Sequence, residues 1–198
     1  MLRKIPIRVG VTGGVGSGKS YVCHLLEQQN YPVFYTDKEA KLEMNENVEI
    51  QHSLSLLLGK NVMASDGQID KGAMFSYISK GKEYAENVNR IVHPVVRKRM
   101  LDWLDRQHTE VAFVECALLF ESGYSRDMDY VLLITAPLET RILRVMKRDN
   151  RSEASVRQLV ELQCTEQEKK ERSDYVIEND GVSDINAQLA GFRRFLGL

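Results

Sequence analysis

The chain has 198 residues, 43% of them hydrophobic and 28% charged, and a formal net charge of −1. That length and apolar content suit one globular domain with room for inserted subdomains and a sizeable core. The near-neutral charge argues against nucleic acid or a membrane surface as partner, and no obligatory protein partner is evident. Cys23, Cys116 and Cys164 are odd in number, widely spaced and without metal-ligand spacing, which points to a reducing, cytoplasmic setting. No apolar run approaches the roughly 18 residues of a membrane span, and Met1-Leu2-Arg3-Lys4 leads directly into a strand pattern rather than a signal peptide. No internal repeat or low-complexity segment is evident.

The run Ile5 to Val11 alternates and reads as a first strand. It leads into Gly13-Gly14-Val15-Gly16-Ser17-Gly18-Lys19-Ser20, which fits G-x-x-x-x-G-K-[ST]. Tyr21 to Gln29 follows as a helix, with Val22, Leu25, Leu26 and Gln29 on one face. Strand, glycine loop and helix are the context in which this motif binds phosphate. Glycines let consecutive N–H groups turn inward on an anion, and the new helix adds its own unpaired N–H groups and dipole. Lys19 supplies a mobile point charge for the β- and γ-phosphates of ATP, and the Ser20 hydroxyl supplies a ligand for Mg²⁺.

Tyr31 to Tyr35 reads as a short second strand, with Thr36 as the cap of the next helix and Glu39 completing a capping box. Asp37 carries two readings. It complements the helix dipole as a first-turn acid. In a parallel sheet it also stands just past the carboxyl end of a strand, where open α/β sheets carry their ligand crevice. Residues 39 to 107 are mostly helical in pattern. Ile50, Leu54, Leu57 and Leu58 share a face that Gly59 closes, Asp66-Gly67 is a turn, and Asp70 is a cap. His93-Pro94 reads as a break, with Pro94 opening a new helix whose apolar positions are Val96, Met100, Trp103 and Leu104.

Val111 to Glu115 is an apolar run ending in an acid, the pattern of a buried parallel strand whose last residue suits a second Mg²⁺ anchor through water. Tyr130 to Ile134 is a fourth strand, and Pro137 opens a helix to about Asp149. The Arg141, Arg144, Lys147 and Arg148 charges on it form either a solvated face or a lid that brings arginine to a transferring phosphoryl group. Residues 151 to 172 are charged and helix-favouring, Tyr175 to Ile177 is a fifth strand, and Leu189, Phe192 and Leu196 mark a terminal helix. Alternating strands and helices predict an α/β fold of three layers around a five-stranded parallel sheet, of the P-loop NTPase type. The expected plan is one kinase domain over 1–198. Its nucleotide core covers 1–37, 108–143 and 173–198, a helical substrate region covers 38–107, and a helical lid covers 144–172.

With these blocks in order, the sequence resembles the dephospho-coenzyme A kinases over nearly its whole length. The carrying segments are Val9 to Ser20, Asp66-Gly67-Gln68-Ile69-Asp70-Lys71, His93-Pro94-Val95-Val96-Arg97, Leu118-Leu119-Phe120-Glu121, Arg144 with Arg148-Asp149, Gln163, Lys169 and Asp174 to Gly181. Tyr35 stands where the family has the first acid of Asp-Ala-Asp, so Asp37 matches the second. Glu115 and Ala117 stand where Asp and Pro are common, Tyr21 replaces a threonine, and Leu159 sits where an arginine is frequent.

The resemblance implies ATP-dependent phosphorylation of the ribose 3′-hydroxyl of dephospho-coenzyme A with Mg²⁺. It implies Asp37 as base, with Lys19, Arg144 and Arg148 as charge-stabilising groups. Nucleotide contacts would come from Gly13, Gly14, Val15, Gly16, Ser17, Gly18, Lys19, Ser20, Tyr21, Arg148 and Asn179. Substrate contacts would come from Asp37, His93, Arg97 and Glu121, and metal contacts from Ser20 and Glu115. Three rivals stand beside this reading. A small-metabolite or nucleoside-monophosphate kinase would use the same loop. A nucleotide switch is disfavoured, because no Asn-Lys-x-Asp guanine-reading element is present. The intact Lys19, Ser20 and Asp37 argue against a non-catalytic remnant.

Overall fold

The computed structural model describes residues 6–198. Met1 to Ile5 lie outside the described residues, and with them the basic N-terminal residues and the first residue of the expected strand. The chain divides into two compact units, one of Met1–Phe34 with Arg106–Leu198 and one of Tyr35–Asp105. We call them the sheet unit and the helical unit.

A five-stranded parallel sheet runs in the order β2-β3-β1-β4-β5. Its strands are β1 (Ile7–Thr12), β2 (Val33–Tyr35), β3 (Val111–Glu115), β4 (Tyr130–Thr135) and β5 (Tyr175–Glu178). The central strands are near-continuous apolar runs because parallel strands are covered on both faces. All five residues of β3 are buried, as are Val9 and Val11 of β1 and Val131 to Ile134 of β4. The register sets Val11 of β1 beside Glu115 of β3, and Cys116 N–H continues the ladder to the Val11 carbonyl at 3.0 Å. Five helices belong with these strands. They are α1 (Lys19–Gln28), α6 (Leu138–Asp149), α7 (Glu153–Glu161), α8 (Glu166–Glu171) and α9 (Ile185–Phe195). Helix α1 buries Val22, Cys23 and Leu26, and α9 buries Ile185, Leu189 and Phe192.

The helical unit consists of α2 (Thr36–Glu46), α3 (Val48–Leu58), α4 (Lys71–Ile78) and α5 (Lys82–Leu104). Helix α5 touches each of the other three. Two boundaries differ from the sequence reading. Thr36 does not cap α2: it is the first helical residue and is buried, and Tyr35 occupies the cap position with no side-chain capping bond to the first turn. The helix starts directly after the strand, so the extended cap residue is Tyr35, which has no short hydroxyl to turn back on the helix, and Thr36 is already helical.

Nor does Pro94 open a helix, because α5 continues through it for 23 residues. An interior proline costs about 3 kcal/mol. Against that, Val88, Val92, Val96, Met100 and Leu104 form an unbroken buried stripe at four-residue spacing. Each such burial contributes about 1.5–3 kcal/mol, and Pro94 itself is exposed. Packing therefore outweighs the lost hydrogen bond. The other local signals hold: Asp70 caps α4 by accepting from Ala73 N–H at 2.9 Å, and Gly59 closes α3.

Candidate active site

The glycine loop joins β1 to α1 and is held in shape mostly by close approach. Gly16 has φ 79°, and a Cβ there would stand 2.4 Å from the Arg141 carbonyl oxygen. Only glycine meets both demands. A Cβ at Gly14 would overlap the Arg141 guanidinium, 1.6 Å from Nη1. Lys19 is buried, and its Nζ donates to the Gly13 carbonyl at 3.0 Å, so its charge is already folded over the loop. From the end of β5, Asn179 donates through Nδ2 to the Ser17 carbonyl at 2.8 Å, while its own N–H donates to the Thr135 carbonyl at 2.7 Å. Helix α1 starts with no side-chain cap and no acid in its first turn. Its positive end is thereby left for an anion from outside the chain.

Helix α6 runs past the loop and places its arginines differently. The Arg141 side chain is only 7% exposed and pairs with Glu166 of α8 at 3.2 Å. The other oxygen of Glu166 accepts from the Thr135 hydroxyl. Arg144 has a buried Nη1 with no hydrogen-bond partner. With Gly18, Tyr21, Asn179, Gly181 and Asp184 it lines a cleft of about 520 Å³. Arg148 stands at the outer end of the helix with its side chain 65% exposed, and bonds Asp149 at 2.7 and 2.8 Å. That bond holds the Asp149 carboxyl below the usual carboxylate range. The Thr12 and Ser17 hydroxyls and Arg141 Nε join Arg144 Nη1 as buried polar atoms without a partner. Such a concentration of orphaned polar groups is uncommon away from functional sites.

Glu115 is buried at the end of β3, level with Val11, two residues before the loop begins. Ser20 is exposed in the first turn of α1. Both are hard oxygen donors. No group of three or more His, Cys, Asp or Glu side chains suited to a metal occurs among the described residues. Such a sparse donor set suits a cation that takes most of its ligands from phosphate and water. Nearby, Glu121 accepts from Cys164 N–H at 2.6 Å. Lys169 is 1% exposed. Burial pushes its ammonium below the usual lysine range, the Glu121 carboxylate opposes that shift, and the Lys19 charge adds to it.

In the helical unit, Asp37 is exposed as the second residue of α2. His93 is half-buried on α5, and burial pushes its imidazole below the usual histidine range while the neighbouring Asp37 carboxylate pulls it up. The fold thus brings together two residues 56 positions apart that no local sequence pattern pairs. Arg97 lies exposed one turn beyond His93, on the same side of α5. Lys38 covers the Tyr35 ring at 3.9 Å from its centre, at the position where an acid was the expected residue.

Sequence reasoning grouped Arg141 with the solvated-face or lid charges of α6, and it passed over Glu166 and Thr135. One signal was available. Arg141 lies in the same apolar stripe of α6 as Ile142 and Val145, which marks it as a charge that must be buried and paired. Nothing in the sequence singles out Glu166 within its charged neighbourhood.

A sequence model described as dephospho-CoA kinase matches residues 7–184. A Bacteroides fragilis protein named dephospho-CoA kinase is 36% identical over 191 residues, covering 96% of this chain and 93% of its own. The structure titled TT1252 from Thermus thermophilus superposes with a TM-score of 0.82 at 32% identity, covering 98% of each chain. That of dephospho-CoA kinase from Campylobacter jejuni does so with a TM-score of 0.68 at 25% identity, covering 96% of each.

Proposed function

The chain belongs to the dephospho-CoA kinase family, whose members catalyse the last step of coenzyme A biosynthesis, and from that premise we propose how its own residues perform the transfer. The donor is ATP and the acceptor is the ribose 3′-hydroxyl of dephospho-coenzyme A. Gly13 to Ser20 hold the triphosphate, with the Lys19 ammonium on the β- and γ-oxygens. Arg144 neutralises charge that develops on the transferring group, and Arg148 joins it when α6 and α7 close over the nucleotide. Asn179, Tyr21 and the 520 Å³ cleft receive the adenosine end. Asp37 accepts the proton of the 3′-hydroxyl as its oxygen bonds the γ-phosphorus. The bond from that phosphorus to the β–γ bridging oxygen breaks, and ADP leaves with the electron pair. His93 orients Asp37, Arg97 binds a substrate phosphate, and Glu121 borders the acceptor.

Ser20 and Glu115, the latter through water, would hold Mg²⁺, which when bound neutralises phosphate charge. The residues carry most of the task, because phosphoryl transfer is largely positioning and charge stabilisation. Three free cysteines and the absence of any described helix long and apolar enough to cross a membrane support a cytoplasmic setting.

The observation that carries this reading is the pre-shaped loop, with Lys19 folded on Gly13 and uncapped helical N–H groups behind it. A coupled ADP assay tests it, with Mg·ATP and dephospho-coenzyme A, and with AMP, CMP and shikimate as parallel acceptors. Turnover confined to dephospho-coenzyme A, with coenzyme A as product, is the expected result. Turnover with another acceptor, or with none, sinks the assignment.

A further inference from the structure

Gln163 lies in the turn between α7 and α8, and its carboxamide reaches in two directions. Oε1 accepts from the Val15 N–H at 2.9 Å, and Nε2 donates to the Ala117 carbonyl at 3.5 Å. Val15 belongs to the glycine loop, and Ala117 lies two residues past Glu115. One half-buried side chain therefore bridges the loop and the segment that leaves the strand-end acid.

The turn that carries Gln163 is itself fixed. Cys164 N–H donates to Glu121, Thr165 and Glu168 form a reciprocal capping box at the start of α8, and Lys169 is buried one turn further on. The side chain is thus delivered from a rigid base, so little ordering entropy opposes its two contacts. The chemistry of the position explains the residue type. A neutral amide oxygen satisfies the Val15 N–H without placing negative charge beside a triphosphate. A carboxylate would accept the same bond but would repel the nucleotide, and it has no donor for the Ala117 carbonyl.

We infer that Gln163 is a positioning residue for phosphoryl transfer: its carboxamide fixes the crown of the glycine loop at Val15 and ties it to the Cys116–Ala117 segment, so that the loop and Glu115 keep one geometry. This rests on the proposed use of ATP at the loop. Gln163 acts through Val15 and touches no reacting atom.

The test compares wild type with Gln163→Glu and Gln163→Ala. ATP affinity is measured by titration calorimetry, and kcat and both KM values are measured from pH 5.5 to 8.5. At pH 8, Gln163→Glu should bind ATP at least about 10-fold more weakly than wild type, as befits a charge placed next to the triphosphate. Its KM for dephospho-coenzyme A should stay within about 3-fold. The deficit in ATP affinity should persist across pH 5.5 to 8.5, because a glutamate with its ordinary value of about 4.3 stays ionised throughout that range. Gln163→Ala should lose about 3- to 10-fold in affinity and kcat at every pH, the loss of one or two neutral hydrogen bonds.

Wild-type affinity in both variants, or a rise in the Gln163→Glu KM for dephospho-coenzyme A as large as its loss of ATP affinity, overturns the positioning role. If Gln163→Glu does not fold, Gln163→Ala decides, and an effect under about 3-fold overturns the inference. Wild-type protein that binds no ATP overturns the ATP reading, and this inference with it.

Discussion

The sheet unit and the helical unit present their candidate site residues in opposite ways. In the sheet unit only outlying charged groups such as Arg148 and Glu121 reach solvent, and those against the glycine loop and strand ends are inside, with Lys19 9% exposed, Arg141 6%, Glu115 5% and Lys169 1%. They are fixed by backbone carbonyls, by one another and by glycines that permit contact. In the helical unit Asp37 and Arg97 are exposed, and only His93 is partly covered. The difference matches the role proposed for each. A polyphosphate is highly charged and is handled best by dipoles and cations set in advance in a dry place. A hydroxyl acceptor needs a base that the incoming substrate can reach and cover. Under the proposed function, phosphate handling is built into the resting fold, whereas acceptor handling is completed by the substrate.

That division can be broken most directly at Asp37. Asp37→Asn should lower turnover at least ~100-fold, the usual range for a positioned general base, and leave ATP affinity within about 2-fold. Calorimetry alongside the ADP assay reads both quantities. Unchanged turnover removes Asp37 as the base. If ATP affinity falls with turnover, the exposed acid supports the nucleotide site and the two units do not divide the work as described.

A smaller effect sharpens the comparison inside the sheet unit. Arg144 has a buried, unpartnered Nη1 in the cleft, whereas Arg148 is solvated and paired with Asp149. Arg144→Ala should cost about 10- to 100-fold in kcat/KM for ATP, the worth of a charge-assisted hydrogen bond. Arg148→Ala should cost less than about 5-fold, as expected for an exposed pair. A larger loss at Arg148 would mean that α6 moves far enough to bring its outer end onto the phosphates.

The same contrast decides what could be read from the chain alone. The five strands, the loop and most helices are legible because burial on both faces gives unbroken apolar runs and because the loop motif sits between a strand and a helix. Pro94 misleads: a local stop signal is overridden by a stripe from Val88 to Leu104 that only packing reveals. Thr36 misleads for the converse reason, a good cap residue with no room to act as one. Within the site, Lys19, Ser20 and Asp37 are readable from motif and position. The links Gln163 to Val15, Arg141 to Glu166 and His93 to Asp37 are not, since each joins residues at least 25 positions apart. Arg141 does sit in the apolar stripe of α6, but nothing in the sequence marks Glu166 as its partner.

The smallest expected effect belongs to His93, the one candidate residue of the helical unit that burial does perturb. In the unfolded chain its imidazole titrates near its ordinary value of about 6.5. In the folded unit burial lowers that value, and Asp37 only partly restores it. Between the two values the unfolded chain binds more protons, so stability rises with pH. The His93 contribution is therefore complete above about pH 6.5 and is lost as pH falls through that window toward the folded value. One group cannot add a slope greater than about 1.4 kcal/mol per pH unit. Urea unfolding from pH 8 to 5 should show a shallower acid limb for His93→Gln than for wild type. Because the Asp37 carboxylate favours the imidazolium, Asp37→Asn should move the His93 titration, followed by NMR, to lower pH. An unchanged titration would mean that the carboxylate lies too far away to act on the ring, and the pairing of base and orienting histidine would fail with it.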